Sequence, residues 1–376
     1  MKAQSQNSDR ISALPQDTTE KILTLMPLRH AIRTSILSKK WRYCWTRIPK
    51  LVFDDNLVNL SSRSGNKELD KYKLVNAVFH ILLLHRAPIS ELCINIANVG
   101  IDNEIDKIIV HLSWSKNIKK FILEITSIGE YYKLPCSFFS FQGWEHLDLS
   151  FCKIELPLMF NGFNMLKSLV FNEVKMTAKV LIKFLTNCPL LEEFTSTPHA
   201  QTCFTETTFV ELFKCLPSIQ VLEISRLCIK HLAGSIPRKL PISLPHLRIV
   251  VLSVCLLGLS AVLCVISSSP NLEKIELEIC DHQRRCSALI TFKIIQAYSG
   301  INLHHLKEME ITCFRDLFTW MEFVKLVMAK SPVLKKARVE LDTSVSVDPE
   351  NKMLRGLLLL PFPRASPAAK FIIERP

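Results

Sequence analysis

Ten segments along the chain carry one pattern: an apolar residue, two spacers, then apolar residues at alternate positions. They read ISELCINI (89–96), IKKFILEI (118–125), WEHLDLSF (144–151), LKSLVFNE (166–173), LEEFTSTP (191–198), IQVLEISR (219–226), LRIVVLSV (247–254), LEKIELEI (272–279), LKEMEITC (306–313) and LKKARVEL (334–341). Alternation with period two predicts a short strand in each. Four copies follow a helical stretch closed by proline, in NCPLLEEF, KCLPSIQVL, SSSPNLEKI and AKSPVLKKA. Proline ends the helix, and the next strand begins within a few residues.

Copies start 22 to 34 residues apart. Residues 166–194 and 247–275 align without a gap over 29 positions, with Leu166 on Leu247, Pro189 on Pro270 and Leu191 on Leu272. Lys175, Lys179 and Lys183 lie at helical spacing on an exposed face, where the second copy has Leu256, Ser260 and Cys264. A period in this range with an LxxLxL core indicates an α/β leucine-rich-repeat solenoid, parallel strands on its concave face and helices outside. The irregular spacing makes it a degenerate one. The alignment also accounts for IVVLSVCLLGLSAVLCVI (249–266), eighteen residues without a charge. Alone that run approaches membrane-spanning length; as a copy of 168–185 it is a buried strand and helix.

The period changes to a helical one at the N-terminus. In DRISALPQDTTEKILTLMPLRHAIRTSILSKKWRYCWTRIPKLVFDD (9–55) three short helices are expected. Pro15 opens the first, with Asp17 and Glu20 as a capping pair. Ile22, Leu23 and Met26 form its apolar face, and Pro27 breaks it. Leu28, Ala31, Ile32, Ser35 and Ile36 recur at helical spacing in the second. Ser38 caps the third, where Trp41 and Trp45 share one face.

Charge sharpens the picture only there. The net charge is +12, and residues 1–50 hold ten Lys and Arg against Asp9, Asp17 and Glu20. The basic character belongs to the N-terminal module and implies an acidic partner. The thirteen cysteines have no regular spacing. Cys188, Cys228 and Cys264 lie in apolar surroundings and are expected to be reduced, in the nucleus or cytoplasm.

The module resembles an F-box. The residues that carry the likeness are Leu14-Pro15, Glu20-Lys21-Ile22-Leu23, Met26-Pro27-Leu28 and Arg33-Thr34-Ser35-Ile36-Leu37-Ser38-Lys39-Lys40-Trp41-Arg42. The tail Trp45…Ile48-Pro49…Leu51…Phe53-Asp54 is similar to that of plant F-box proteins, and segments 303–341 and 353–371 resemble the FBD module of plant F-box/LRR proteins. The resemblance implies a flexible tail (1–8), an F-box (9–55), the solenoid (56–298) and an FBD-like module (299–376). It also implies docking on a Skp-type adaptor, and through it a cullin and a RING protein. The implied adaptor-binding residues are Leu14, Pro15, Ile22, Leu23, Met26, Pro27, Leu28, Leu37, Ser38, Trp41 and Arg42. Trp41 serves either the dock or the module's own core. Lys39, Lys40 and Arg42 would steer association more than set affinity. Thr18 and Thr19 stand where the family usually has larger aliphatic residues; if both face the adaptor, affinity falls by ~1 kcal/mol in all.

Other function classes find little support. The chain has no GxGxxG, P-loop, HExxH or GxSxG, and only nine glycines. CDHQRRC (280–286) lacks zinc-ligand spacing and reads as a solvated loop. No metal, cofactor, membrane or nucleic-acid partner is expected. The resulting expectation is the non-catalytic substrate-recognition subunit of an SCF-type ubiquitin ligase; the alternative is a repeat scaffold acting outside the ligase. The solenoid would hold the target protein through the spacers of its strands. Glu276, Glu278, Glu308 and Glu310 share one face of adjacent strands, either as a solvated surface or as a dock for a Lys- or Arg-rich target segment.

Overall fold

A computed structural model describes residues 11, 13–58, 67–97, 102–113, 117–126, 131–197, 209–225, 236–254, 258–279, 288–314, 318–343 and 364–375. The tail 1–8 and the segment 280–286 fall outside the described residues. The chain forms two compact units, residues 1–166 and 167–376.

The first unit begins with helices α1 (Gln16–Thr24) and α2 (Leu28–Arg33) and two 3-10 helices, Thr34–Ile36 and Trp41–Arg47. Its strands are β1 (Lys50–Asp54), β2 (Glu91–Ala97), β3 (Lys120–Thr126), β4 (Tyr132–Lys133), β5 (His146–Ser150) and β6 (Cys152–Lys153). β1, β2, β3 and β5 form a parallel ladder in that order, and β4 pairs with β6. Between β1 and β2 runs the helix Lys67–Leu84, and between β2 and β3 the helix Asp102–Ser113.

The second unit continues with β7 (Ser168–Asn172), β8 (Glu193–Thr197), β9 (Val221–Ile224), β10 (Ile249–Val254), β11 (Lys274–Ile279), β12 (Glu308–Phe314), β13 (Lys336–Leu341) and β14 (Lys370–Glu374). Each is parallel to the next. All ten segments that carry the alternating pattern are strands, and each strand starts at the third residue of its pattern. The mixed α/β arrangement, N-terminal helices followed by parallel strands, is that of a leucine-rich-repeat ladder.

The alternation decides which side is buried. β10 alternates half-exposed Ile249, Val251 and Ser253 with buried Val250, Leu252 and Val254. Leu222, Ile275, Ile311 and Val339 are fully buried at equivalent places. The first apolar residue of each pattern is buried too, as at Leu166, Leu247 and Leu306. The two aligned copies match: helix Ala178–Thr186 stands where the second copy has helix Leu259–Ser268. Lys175, Lys179 and Lys183 are exposed. In the second helix the residues from Ala261 to Ile266 are all buried, so it needs no polar face. The uncharged run 249–266 is therefore divided between a strand and a helix, and no described helix is long and apolar enough to cross a membrane. Cys188 and Cys264 are buried core residues, and Cys228 lies outside the described residues. Burial pushes the Cys264 thiol up to about 11.

Among the described residues other than glycine, Phe151, Glu173 and Cys313 adopt left-handed backbone, with φ of 55°, 53° and 54°. Each is the eighth residue of its pattern; Phe151 and Glu173 follow the ends of β5 and β7, and Cys313 lies where the β12–β13 register shifts between Ile311 and Phe314. The conformation costs a side-chain-bearing residue about 1–2 kcal/mol. At Glu173 the turn is fastened by its N–H, which donates to the Thr197 carbonyl at 2.7 Å.

Burial on one side only makes the two strand faces unequal in energy. Leu222→Ala is expected to lower stability by roughly 2–5 kcal/mol, and Val251→Ala on the spacer side by less than about 1 kcal/mol. Denaturant midpoints of the two variants measure the difference.

Candidate functional site

The N-terminal module sorts its apolar residues into two sets. Leu23, Leu28, Ala31, Trp41, Trp45 and Ile48 are buried and fill its interior. Ile11, Ile22, Leu25, Ile36 and Leu37 remain exposed, Leu25 and Ile36 at 88% and 86%. Thus α1 divides what the sequence reading put on one face: Leu23 points inward, Ile22 outward and Met26 lies between. Pro15, Pro27 and Arg42 are exposed, and Leu14 and Ser38 are half-buried.

The expected Asp17–Glu20 capping pair is not formed. Pro15 stands at the N-cap with no side-chain cap, and Glu20 instead accepts from Gln16 Nε2 at 2.8 Å. The two threonines also part. Thr19 is buried and its hydroxyl donates to the Pro15 carbonyl at 3.1 Å, whereas Thr18 is exposed. Only Thr18 is left to face a partner, so the loss expected from two polar contacts reduces to one.

The third helix is 3-10 rather than α. Its N-cap is Lys40, with no side-chain cap, rather than the expected Ser38; the Ser38 hydroxyl still accepts from the Trp41 N–H at 3.4 Å. The Trp41 ring is 4% exposed and its Nε1 donates to the Ile11 carbonyl at 3.4 Å. In this conformation it belongs to the module's core. Lys40 Nζ donates to the Leu14 carbonyl at 2.7 Å, tying the third helix to the first. Lys39 and Arg42 are exposed. The Arg86 guanidinium lies 5.4 Å from the Tyr43 ring centre.

The module joins the strand ladder directly through β1. The Thr46 carbonyl accepts from the N–H groups of Arg86 and Ala87, and the Pro49 carbonyl from those of Ser90 and Glu91. His85 Nε2 meets the Ile48 carbonyl at 2.9 Å, so Nε2 carries the proton and donates. Burial holds the His85 pKa below its ordinary 6.5.

On the spacer side, the strand register sets the charged residues in rows. Lys274, Glu308, Lys336 and Lys370 form one row, and Glu276, Glu310, Arg338 and Ile372 the next. The mutual repulsion expected among Glu276, Glu278, Glu308 and Glu310 is largely relieved. Lys274 pairs with Glu276 and lies 4.0 Å from Glu308. Arg338 pairs with Glu310, with Glu340 at 3.1 Å and with Glu374 at 2.8 Å. Glu278 accepts the Ser253 hydroxyl at 2.6 Å. The sequence reading missed Arg338 because it compared only the two strands that carry the glutamates; the signal was present as a cation in the next copy of the pattern. Among the described residues no cluster of three or more His, Cys, Asp or Glu is placed to hold a metal ion.

Comparison with known proteins now gives these features a class. Residues 11–53 match the F-box domain family model. An F-box/FBD/LRR-repeat protein of Arabidopsis thaliana is 28% identical over 98% of this chain and 99% of its own length. An FBD-associated F-box protein of the same plant is 25% identical over 88% of this chain and 75% of its own. A second F-box/FBD/LRR-repeat protein of that plant is 28% identical over 58% of this chain and 47% of its own. The chain thus joins a segment that matches the F-box domain to a parallel-strand repeat ladder. The chain carries an F-box domain and is homologous over nearly its full length to plant F-box/FBD/LRR-repeat proteins. F-box domains in general bind Skp-type adaptors, and proteins of this kind in general are non-catalytic adaptors.

Two measurements probe these contacts. The folded-state pKa of His85 lies below the unfolded value, so on acidification the unfolded chain takes up the proton first. Its contribution to stability is full above 6.5 and declines as pH falls through that value. Melting curves of His85→Gln should show a shallower decline than wild type across that window. Arg338→Leu leaves Glu310, Glu340 and Glu374 without their shared cation. Its melting point should drop more than that of Lys336→Leu, and the gap should narrow in high salt.

Proposed function

We propose that the chain is the substrate-recognition subunit of an SCF-type ubiquitin ligase. The F-box docks on a Skp-type adaptor, which links it to a cullin and a RING protein, and the strand ladder holds the target. The receptor performs no bond chemistry; it raises the effective concentration of target lysines beside a ubiquitin-charged enzyme. The observation that carries this reading is the division of the N-terminal module. Its core is complete without Ile22, Leu25, Ile36 and Leu37, which stay exposed. Burying one such side chain in a partner is worth about 1.5–3 kcal/mol.

On this reading Leu14, Pro15, Ile22, Met26, Pro27, Leu37, Ser38 and Arg42 contribute the contact surface, and Leu25 and Ile36 join them. Leu23, Leu28 and Trp41 support that surface from within. The proposed modules remain the F-box at 9–55, the solenoid at 56–298 and the FBD-type module at 299–376. The proposed compartment is the nucleus or cytoplasm. On the spacer face, Glu276, Glu278, Glu308 and Glu310 are proposed to receive a Lys- or Arg-rich segment of the target. Of the four, Glu278 has no salt bridge among the described residues, and Glu308 has only the 4.0 Å contact with Lys274.

The test uses two exposed residues whose loss leaves the core intact. Ile36→Ala with Leu37→Ala should reduce capture by a recombinant Skp-type adaptor at least roughly tenfold, with the melting point unchanged. Undiminished capture by that variant would defeat the docking assignment. Adaptor capture without cullin co-purification would favour a scaffold outside the ligase.

A further inference from the structure

β14 has a different character from the strands before it. Elsewhere in the ladder buried and half-exposed positions alternate, but in β14 Phe371, Ile372 and Ile373 are all half-exposed and Lys370 and Glu374 are exposed. Its one partner is β13, to which it runs parallel, and among the described residues no strand covers its other edge. The Lys370 N–H donates to the Lys335 carbonyl at 2.9 Å, so Lys370, Ile372 and Glu374 direct their backbone groups towards β13. By alternation, Phe371 and Ile373 direct theirs away from it.

The sequence of this edge, Lys-Phe-Ile-Ile-Glu, complements itself when reversed. We propose that β14 pairs antiparallel with β14 of a second copy of the chain, about a two-fold axis at Ile372. In that register Phe371 lies opposite Ile373 of the other copy, and each pair exchanges two N–H···O bonds between the outward backbone groups. Ile372 meets its own counterpart in a non-hydrogen-bonded pair. Lys370 lies opposite Glu374, twice over, on the spacer side. The apolar side chains of Phe371 and Ile373 from both copies fall on the opposite side as one cluster. The interface is isologous, as closed dimers require. A parallel or shifted pairing loses the charge match, since one residue of slip sends each side chain to the other face. The two ladders then form one sheet, with both spacer faces on the same side.

The proposal is independent of what the F-box binds. Sedimentation of the full chain over a range of concentrations tests it. The wild-type chain should show a concentration-dependent dimer and nothing larger. Ile373→Pro removes an N–H that does not bond β13, so it should abolish the dimer while the melting point stays close to wild type. Lys370→Glu should weaken the dimer roughly tenfold by setting like charges opposite each other. Adding Glu374→Lys should restore it, although that change also removes the Arg338 contact within one chain. If Ile373→Pro destabilises the fold, loss and restoration by the charge pair decide the matter. A wild-type chain that stays monomeric would overturn the proposal. So would a dimer indifferent to Lys370→Glu, or assemblies that grow beyond two chains.

Discussion

One backbone contact recurs through both units, and the rest of the ladder hangs on it. The carbonyl just before most of these strands accepts two consecutive N–H groups from the next copy of the pattern. Ser90 accepts from Lys119 and Lys120, Lys167 from Glu192 and Glu193, Gln220 from Arg248 and Ile249, Glu273 from Lys307 and Glu308. This fork sets the register before the strand begins. Once it is fixed, the first pattern residue and the two alternating apolar residues fall on the buried side in every copy. A slip of one residue would turn that apolar set outward. Intervening segments can then vary in length, from 22 to 34 residues between copies, because none of them determines the register.

The same fork explains how the N-terminal module is attached. Its first instance is made by Pro49, which accepts from Ser90 and Glu91. The tail of the module is itself the first strand, β1, in register with β2 from Lys50 to Asp54. A sequence reading centred on LxxLxL does not see this strand. Ile48-Pro49-Lys50-Leu51-Val52-Phe53 carries the pattern, with buried Ile48 in the leading place, but it was assigned to the tail of the N-terminal module. β14 escaped for a different reason, since its apolar run Phe371, Ile372 and Ile373 does not alternate. What was legible was periodicity set by burial on one face. What was hidden were β1, read as the tail of the N-terminal module, and β14, whose apolar residues do not alternate.

In the candidate site the limit was different. Periodicity finds the apolar face of a helix, but two partners can compete for that face. Ile22 and Leu23 are adjacent, and the pattern offers both; packing chooses Leu23 for the interior and leaves Ile22 at the surface. Trp41 carries the same ambiguity, settled in this conformation by its burial and by the bond from its indole nitrogen to Ile11. On the spacer side the ambiguity was electrostatic. The glutamates of two adjacent strands predict repulsion, while charges read across the full register show Lys274 and Arg338 set among the carboxylates. Cross-strand neighbours are closer than residues two apart along one strand, so the register governs the field.

On the proposed function, these features bear together on how a receptor of this kind would work. Proximity acts only if the docked end and the holding face keep a defined distance, since effective concentration falls as a connection loosens. Here no linker intervenes between the N-terminal module and the start of the ladder. Pro49 has no N–H to leave unsatisfied, its carbonyl is taken by two donors, and His85 closes onto Ile48 from the following helix. The junction is built from backbone groups and one neutral imidazole, so salt does little to it and side-chain substitution on the spacer face does not reach it. The spacers are therefore the part of the chain that can change with the target. Their side chains contribute little to the core, as half-exposed Val251 beside buried Val250 and Leu252 shows. A fold of this kind separates the two demands on it, holding register with backbone and buried leucines while the exposed positions of the strands remain open to recognition.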